Sequence, residues 1–352
     1  MPTRLLAQWE GLTTRWPVLA KLVGGSSLSV GLDLGSTSVK AVALTQTATG
    51  LALAGSSVLP LPPNADRAQR LQVIRQLFQA VNGSQGRVVA AVGGPGAMLR
   101  WVTLPKMTPQ ELSASLAFEA EKHIPLKLDE VFLDSAILGD RPGGQMEVLL
   151  AAARKELVAA QVELLEAAEI PLAVMDLESV ALANAWALSA PPAGQIVGLL
   201  HVGARATIVD IVSGPQLQFS REVPLGGHAF TQAIAEGLQL DASHAEALQC
   251  DPGARAAEVR TALQSCWAEW WSQCRASCDF YENQFGHAVE RLVMTGGAAH
   301  VAGFREWAQE TSGLPTEIGN PLAGLASTGA APAGPEAALA IAVGLAVRGR
   351  DR

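Results

Sequence analysis

The sequence has little charge and few aromatic residues. Of its 352 residues, 16% are charged and 5% aromatic, with a single Tyr, whereas 49% are hydrophobic. This composition excludes general disorder, and the length suffices for two lobes with a substantial buried core. The net charge is −8 and no run of Lys or Arg exceeds a pair. The sequence therefore lacks an electrostatic surface for DNA or RNA, and we expect no nucleic-acid partner.

Long apolar runs are also missing. The run from Ala337 to Val347 falls short of the roughly 20 residues that a membrane-spanning helix needs. The N-terminus carries Arg4 and Arg15 but no apolar core of signal-peptide length. We therefore expect a cytoplasmic protein that meets a membrane only through partners. Residues 1–27 have the spacing of an amphipathic helix interrupted at Pro17, which predicts a docked or frayed N-terminal extension.

Cysteine is scarce and confined to one segment. No CxxC or HxxxH pattern accompanies the four cysteines, so a metal site is not indicated. We expect reduced, packed thiols in a reducing compartment. The four residues are Cys250, Cys266, Cys274 and Cys278.

The most informative stretch is SVGLDLGSTSVKAVAL, from Ser29 to Leu44. Apolar residues on both sides of a Gly-Ser-Thr-Ser turn predict a β-hairpin whose tip can surround a phosphate. Asp33 precedes the tip and can hold Mg²⁺ through water, and Lys40 follows it and can reach phosphate oxygens. An ordinary polar turn is the alternative, and this stretch alone leaves both open. The candidate phosphate-binding residues here are Gly35, Ser36, Thr37, Ser38 and Lys40.

Two later stretches follow this hairpin in a familiar order. LLHVGARATIVDIVSG begins at Leu199 and VMTGGAAHVAGF begins at Val293. Together the three stretches resemble the phosphate 1 hairpin, the phosphate 2 hairpin and the adenosine motif of the actin-like ATPase superfamily. The resemblance implies an α/β fold with two actin-like, RNase H-like lobes that hold ATP and Mg²⁺ between them. It assigns further ligand contacts to Gly203, Ala204, Thr207, Glu246, Gly296, Gly297 and Ala298.

The segment from Leu104 to Leu126 makes this resemblance more specific. Its Leu-Pro-Lys-Met start and Glu-Ala-Glu-Lys-His-Ile-Pro-Leu end are similar to the PilM family, the cytoplasmic actin-like proteins of type IV pilus assembly. In that family an α+β subdomain, called 1C, is inserted into the first lobe. The resemblance implies a scaffold peripheral to the inner membrane, with other pilus motor components as further partners. Its main partner would be the cytoplasmic N-terminal tail of a PilN-like bitopic inner-membrane protein, bound in a groove between the insert and the first lobe.

The resemblance also implies a division of the chain. After the extension at residues 1–27, the first lobe is expected at 28–96, the inserted subdomain at 97–174 and a connector helix at 175–194. The second lobe is expected at 195–240 and 291–330, with a subdomain 2B at 241–290 and a C-terminal helix at 331–352 that returns to the first lobe. Within 2B, a 3.6-residue apolar pattern from Glu258 to Phe285 predicts a long helix with one buried face.

The sequence departs from the family at two positions. His201 stands where PilM proteins usually have Asp, and Gln249 where they often have Lys. A histidine does not hold hydrated Mg²⁺ as a carboxylate does. We therefore expect nucleotide binding with slow or absent hydrolysis and name no catalytic residue.

Two other functions remain open at this point. A small-molecule kinase of the same superfamily would need an acidic base, for which Asp176 and Glu178 are the candidates, but it leaves the insert unexplained. An FtsA-like division protein shares such an insert but ends in a membrane-binding helix, whereas this sequence stops at Arg352 after its last core helix. Competence or secretion relatives of PilM are the nearest variant of the leading hypothesis.

Overall fold

A computed structural model describes residues 28–48, 50–326, 332 and 334–350. Of these, residues 92–163 form one compact unit, and residues 28–91 and 164–350 form a second, larger one. The interrupted helix predicted for residues 1–27 lies outside the described residues.

The larger unit contains two five-stranded sheets of similar design. In the first, the order is β3-β2-β1-β4-β8, and in the second it is β11-β10-β9-β12-β13. In each sheet the central strand pairs antiparallel with the next strand in the chain and parallel with a later one. The first sheet comprises β1 Leu28–Leu34, β2 Ser38–Thr47, β3 Gly50–Pro60, β4 Arg87–Val92 and β8 Leu172–Leu177. The second comprises β9 Ile196–Val202, β10 Thr207–Ser213, β11 Gln216–Val223, β12 Arg291–Thr295 and β13 Thr316–Ile318.

Helices cover these sheets. They are α1 Arg67–Ala80, α4 Glu178–Ala187, α5 Gly227–Leu238, α6 Ala242–Cys250, α7 Ala256–Phe285, α8 Phe304–Ser312 and α9 Ala340–Arg348. Helix α8 begins after Gly303, which adopts a left-handed conformation with φ +77° at its N-cap. A 3₁₀ turn, Glu336–Leu339, leads into α9.

The long helix α7 supplies much of the core beside the second sheet. Its predicted buried face is confirmed, with Trp267 and Trp270 fully buried. The rings of Trp267 and Phe304 stack with centroids 5.0 Å apart. All four cysteines are free thiols, but Cys250 is exposed at the end of α6, so the prediction of packed thiols is wrong for that residue.

Small residues let α9 approach its neighbours closely. A Cβ atom at Gly344 would lie 1.7 Å from the carbonyl oxygen of Ala181 on α4. A Cβ at Gly31 on β1 would lie 2.0 Å from the carbonyl oxygen of Ala342. The Ser29 hydroxyl donates a hydrogen bond of 2.6 Å to the carbonyl of Ala346. Helix α9 is therefore fixed against β1 and α4 at backbone contact distance.

The smaller unit has its own sheet and core. Strands β5 Ala97–Pro105, β6 Val131–Arg141 and β7 Gln145–Arg154 form an antiparallel sheet in the order β5-β7-β6. Helix α2, Pro109–Glu121, begins with a capping box between Thr108 and Glu111 and packs against β6. Helix α3, Lys155–Ala167, then leads the chain into the larger unit.

Candidate functional site

The first hairpin carries a charged pair beside its turn. Asp33 on β1 and Lys40 on β2 are directly opposite, and the Lys40 Nζ lies 3.0 Å from the Asp33 Oδ2. The intervening turn residues, from Gly35 to Ser38, are partly exposed. A Cβ at Gly35 would lie 2.7 Å from the Ser38 carbonyl oxygen and 3.0 Å from the Lys40 Nζ. Glycine is thus required for this tight turn.

The second hairpin is held by the start of α5. The Gly203 amide donates to the Ala206 carbonyl at 2.9 Å, which closes the turn between β9 and β10. The first amides of α5 then donate to this turn, from Gly227 to the Gly203 carbonyl and from His228 to the Ala204 carbonyl. A Cβ at Gly226 would lie 2.5 Å from the Gly203 oxygen, so a larger residue there would displace the turn.

The segment after β12 meets this second hairpin. Gly296 has φ +90°, and a Cβ there would lie 2.4 Å from the Val202 carbonyl oxygen. A Cβ at Gly227 would lie 3.1 Å from the Ala298 Cβ, whereas one at Gly297 would meet nothing within 4 Å. The structure therefore brings Gly203 of the predicted phosphate 2 stretch close to Gly296 and Gly297 of the predicted adenosine stretch. These three residues form the glycine cradle, which has open space at Gly297. The open space at Gly297 would let a ligand such as phosphate or ribose approach the backbone closely.

Three further residues named from the sequence differ in how deeply they are buried: Glu246, Gln249 and Thr207. Glu246 is exposed on α6, one turn before Gln249, which is buried. The Gln249 Oε1 accepts a hydrogen bond from the Thr231 hydroxyl at 2.5 Å, and its Nε2 faces Gly227. Thr207 is fully buried, donates to the Leu225 carbonyl and accepts from the Trp270 indole. Because its only proton is already donated, Thr207 acts by holding β10 in place.

His201 lies in the first strand of the second hairpin. It is 8% exposed on β9, and its Nδ1 shares a hydrogen bond of 3.1 Å with the Thr295 hydroxyl. Burial lowers the pKa of its imidazole to about 4, with Asp33 opposing and Lys40 adding to this change. The imidazole is therefore neutral at pH 7. It is close enough to the first hairpin for the charges of Asp33 and Lys40 to affect its pKa.

Glu178, the first residue of α4, faces the same charges. Burial raises the pKa of its carboxyl to about 8. The negative charges of Asp33 and Glu222 raise this pKa further, and Lys40 lowers it. The helix N-terminus favours the ionised form by about 0.3–1 kcal/mol, which offsets less than one pH unit of the shift. Glu178 is thus mainly neutral at pH 7. From the sequence alone, Glu178 was only a candidate base for a kinase.

Asp176, the other acidic candidate for a kinase, has structural partners. One carboxylate oxygen accepts a hydrogen bond from the Leu177 amide at 2.8 Å, and the other lies 3.5 Å from the Arg348 Nε. The carboxylate therefore ties the end of β8 to α9.

Within the described ranges, no group of three or more His, Cys, Asp or Glu side chains has the arrangement of a metal site. Any Mg²⁺ near Asp33 would depend on ligands besides the protein, such as water and phosphate oxygens. No helix in the same part of the chain is both long and apolar enough to cross a membrane.

Comparison with known proteins gives the family of the chain. A family model for the type IV pilus assembly protein PilM matches residues 31–350. A chain in the solved PilM-PilN type IV pilus biogenesis complex is 27% identical and superposes with a TM-score of 0.79. The match covers 92% of this chain and 99% of that one.

More distant structures share the fold. The ethanolamine utilization protein EutJ from Carboxydothermus hydrogenoformans is 15% identical, with a TM-score of 0.54 over 93% of this chain and 90% of that one. MreB 5 of Spiroplasma citri, solved with AMPPNP, is 11% identical, with a TM-score of 0.54 over 91% and 95%. These likenesses confirm the predicted actin-like fold.

Proposed function

The chain belongs to the family of type IV pilus assembly proteins PilM, and from that membership we propose that it is a nucleotide-binding adaptor. In this role it binds ATP with Mg²⁺ in the larger unit and the cytoplasmic tail of a PilN-like inner-membrane protein through the smaller one. It would then work at the cytoplasmic face of the inner membrane, held there by its partner.

The glycine cradle and the Asp33–Lys40 pair support the nucleotide part of this proposal. Lys40 supplies a cation at the first turn, and a carboxylate beside it can orient a hydrated Mg²⁺. Beside the second turn, Gly297 leaves its backbone open to a ligand. The residues proposed to contact the nucleotide are those predicted from the sequence, except that Thr207 acts indirectly through β10. The related MreB 5 was solved with the nucleotide analogue AMPPNP.

Phe118 carries the partner part of the proposal. Leu112 on α2 and Ile124 just after this helix belong to the core of the smaller unit, but Phe118 on α2 is 64% exposed. The Lys122 ammonium lies over its ring, 4.0 Å from the centroid. The same ammonium is paired with Glu119 at 2.9 Å. An outward Phe suits a peptide that brings an apolar side chain. Phe118 is therefore not packed into the core of the smaller unit.

The experiment is a titration of the PilN-like tail, as a labelled peptide, with the full chain in the presence of Mg·ATP. Parent protein should bind with modest, micromolar affinity, because the peptide must be ordered on docking. Phe118→Ser should weaken binding about tenfold or more, as expected when a central aromatic contact is lost.

Phe280→Ser is the matched control. Phe280 on α7 is also exposed, at 54%, but belongs to the larger unit. Equal weakening by both substitutions, or none by Phe118→Ser, would contradict a partner surface on the smaller unit.

A further inference from the structure

Asp210 on β10 is a fully buried acid on the face of the second sheet that helix α4 covers. Its neighbours in the chain, Val209 and Ile211, belong to the core beside α7, so the Asp210 side chain lies on the opposite face. Its cross-strand partner Ser220 on β11 donates a hydrogen bond of 2.8 Å to the Ser179 hydroxyl on α4. The carboxyl of Asp210 therefore lies beside a hydrogen bond that joins α4 to this sheet.

This carboxyl has no compensating cation. Neither of its oxygens has a hydrogen-bond partner in good geometry among the residues that the structure describes. Its other cross-strand partner, Leu199 on β9, is apolar. Arg221 lies on the other face of β11, where its charge acts on Cys274 of α7. The titratable groups that β9, β11 and α4 bring to the Asp210 side carry no positive charge at pH 7, and these are His201, Glu222 and Glu178. A buried carboxylate without a cation is costly, so the neutral acid is favoured.

The single proton of the Ser220 hydroxyl has two acceptors within reach. In the structure this proton is donated to Ser179. Burial raises the pKa of the Asp210 carboxyl well above its usual range, and hydrogen bonding by Ser220 opposes this change. Hydrogen bonds to a charged group are about twice as strong as neutral ones. An ionised Asp210 would therefore be a stronger acceptor for Ser220 than Ser179 is.

We propose that Asp210 is a pH-sensitive latch for α4. While its carboxyl is neutral, Ser220 stays bound to Ser179. When the carboxyl loses its proton to solvent, the Ser220 hydroxyl turns to the carboxylate and α4 loses this contact with the sheet. Helix α4 also packs against α9, which lies at backbone contact distance from β1. Ionisation of Asp210 thus loosens the junction between the two sheets of the larger unit at alkaline pH. This latch is independent of the proposed nucleotide and partner sites.

The raised pKa of Asp210 fixes the sign of the pH dependence. The carboxyl is ionised in the unfolded chain above about pH 4 and neutral in the folded protein up to its higher pKa. Unfolding between these two values releases one proton, so this group makes the unfolding constant rise about tenfold per pH unit. Asparagine has a similar shape and does not ionise, so Asp210→Asn should lack this increase. Contributions from other titratable groups are common to both proteins and cancel in their ratio.

The first test is denaturant unfolding of the full chain from pH 5 to pH 7. The unfolding constant of the parent, divided by that of Asp210→Asn, should rise about tenfold per pH unit. Asp279→Asn, which removes an exposed acid of α7, is the matched control and should keep the pH dependence of the parent. Parallel curves for the parent and Asp210→Asn would mean that the carboxyl is ionised in the folded protein, and the latch would be overturned.

The second test is hydrogen–deuterium exchange of the α4 amides from pH 7 to pH 10, expressed as protection factors. Protection in the parent should fall about three- to tenfold, which is the effect of losing one neutral hydrogen bond. Protection in Asp210→Asn should stay constant over this range. Ser220→Ala lacks the bond to Ser179, so its α4 protection should be lower already at pH 7 and change little with pH.

Glu178→Gln separates the latch from the other buried acid of α4. Glu178 has a pKa of about 8 and ionises in the same range. This variant should retain the fall in protection of the parent, because Asp210 is unchanged. Loss of the fall in Glu178→Gln, together with its persistence in Asp210→Asn, would assign the effect to Glu178 and overturn the latch. Constant α4 protection in the parent up to pH 10 would overturn it as well.

Discussion

The Nζ of Lys40 lies 3.0 Å from the Oδ2 of Asp33, from directly opposite positions on β1 and β2. Both side chains are largely buried, with 13% and 7% of their surface exposed. The pair is therefore preformed beside the turn, and a phosphate or hydrated cation would meet charges that are already oriented.

We predict that Asp33→Ala combined with Lys40→Ala abolishes stabilisation by Mg·ATP. A ligand that binds only the native state raises its stability by mass action, so loss of the site removes the shift in melting temperature. Thermal unfolding with and without nucleotide measures this shift in melting temperature. The control removes the exposed pair Lys106–Asp140, which lies in the smaller unit. If calorimetry shows the first double variant binding like parent, the site is elsewhere.

We predict slow ATP hydrolysis, below about one turnover per second. The buried, neutral His201 does not orient a hydrated Mg²⁺ as a carboxylate would. His201→Asp should tighten Mg²⁺ binding in the presence of nucleotide, and the variant's phosphate release should be at least as fast as that of the parent. Rapid turnover by the parent protein would contradict this prediction.

We predict that His201 makes the protein less stable in acid. Its pKa is about 4 in the folded protein and 6.5 as the ordinary value, so the unfolded chain binds the proton first. Stability is therefore retained above pH 6.5 and lost as pH falls towards 4, by roughly 1 kcal/mol per pH unit. Denaturant unfolding of parent and His201→Gln across this range should show a smaller slope for the variant. Parallel curves would refute the assignment.

We predict that Gly344→Ala destabilises the larger unit by about 3 kcal/mol or more, since its Cβ would lie 1.7 Å from the Ala181 carbonyl oxygen. Gly55→Ala is the control, because the nearest atom to its Cβ would be the Val81 Cα, 3.8 Å away. Chemical denaturation measures both. Similar stabilities for the two variants would mean that α9 and α4 can separate at little cost.

Local patterns in the sequence were sufficient for much of the fold. The alternation around Gly35 fixed a hairpin with Asp33 and Lys40 opposite each other, because strand pairing across a short turn sets the register. The Thr108 and Glu111 capping box likewise determined where α2 begins. The order of the two phosphate hairpins and the adenosine motif along the chain was enough to indicate the actin-like superfamily.

Charge states and exposure were decided by the tertiary structure. The contact between His201 and Thr295 joins residues 94 positions apart, and the carboxyl of Glu178 is affected by Asp33 and Glu222 from other elements. Phe118 and Leu112 are both apolar residues of α2, yet one is exposed and the other buried. Hydrogen bonding within a turn or helix depends on neighbours in the chain. Desolvation and Coulomb interactions depend on which distant elements cover a side chain, and only the folded arrangement determines that.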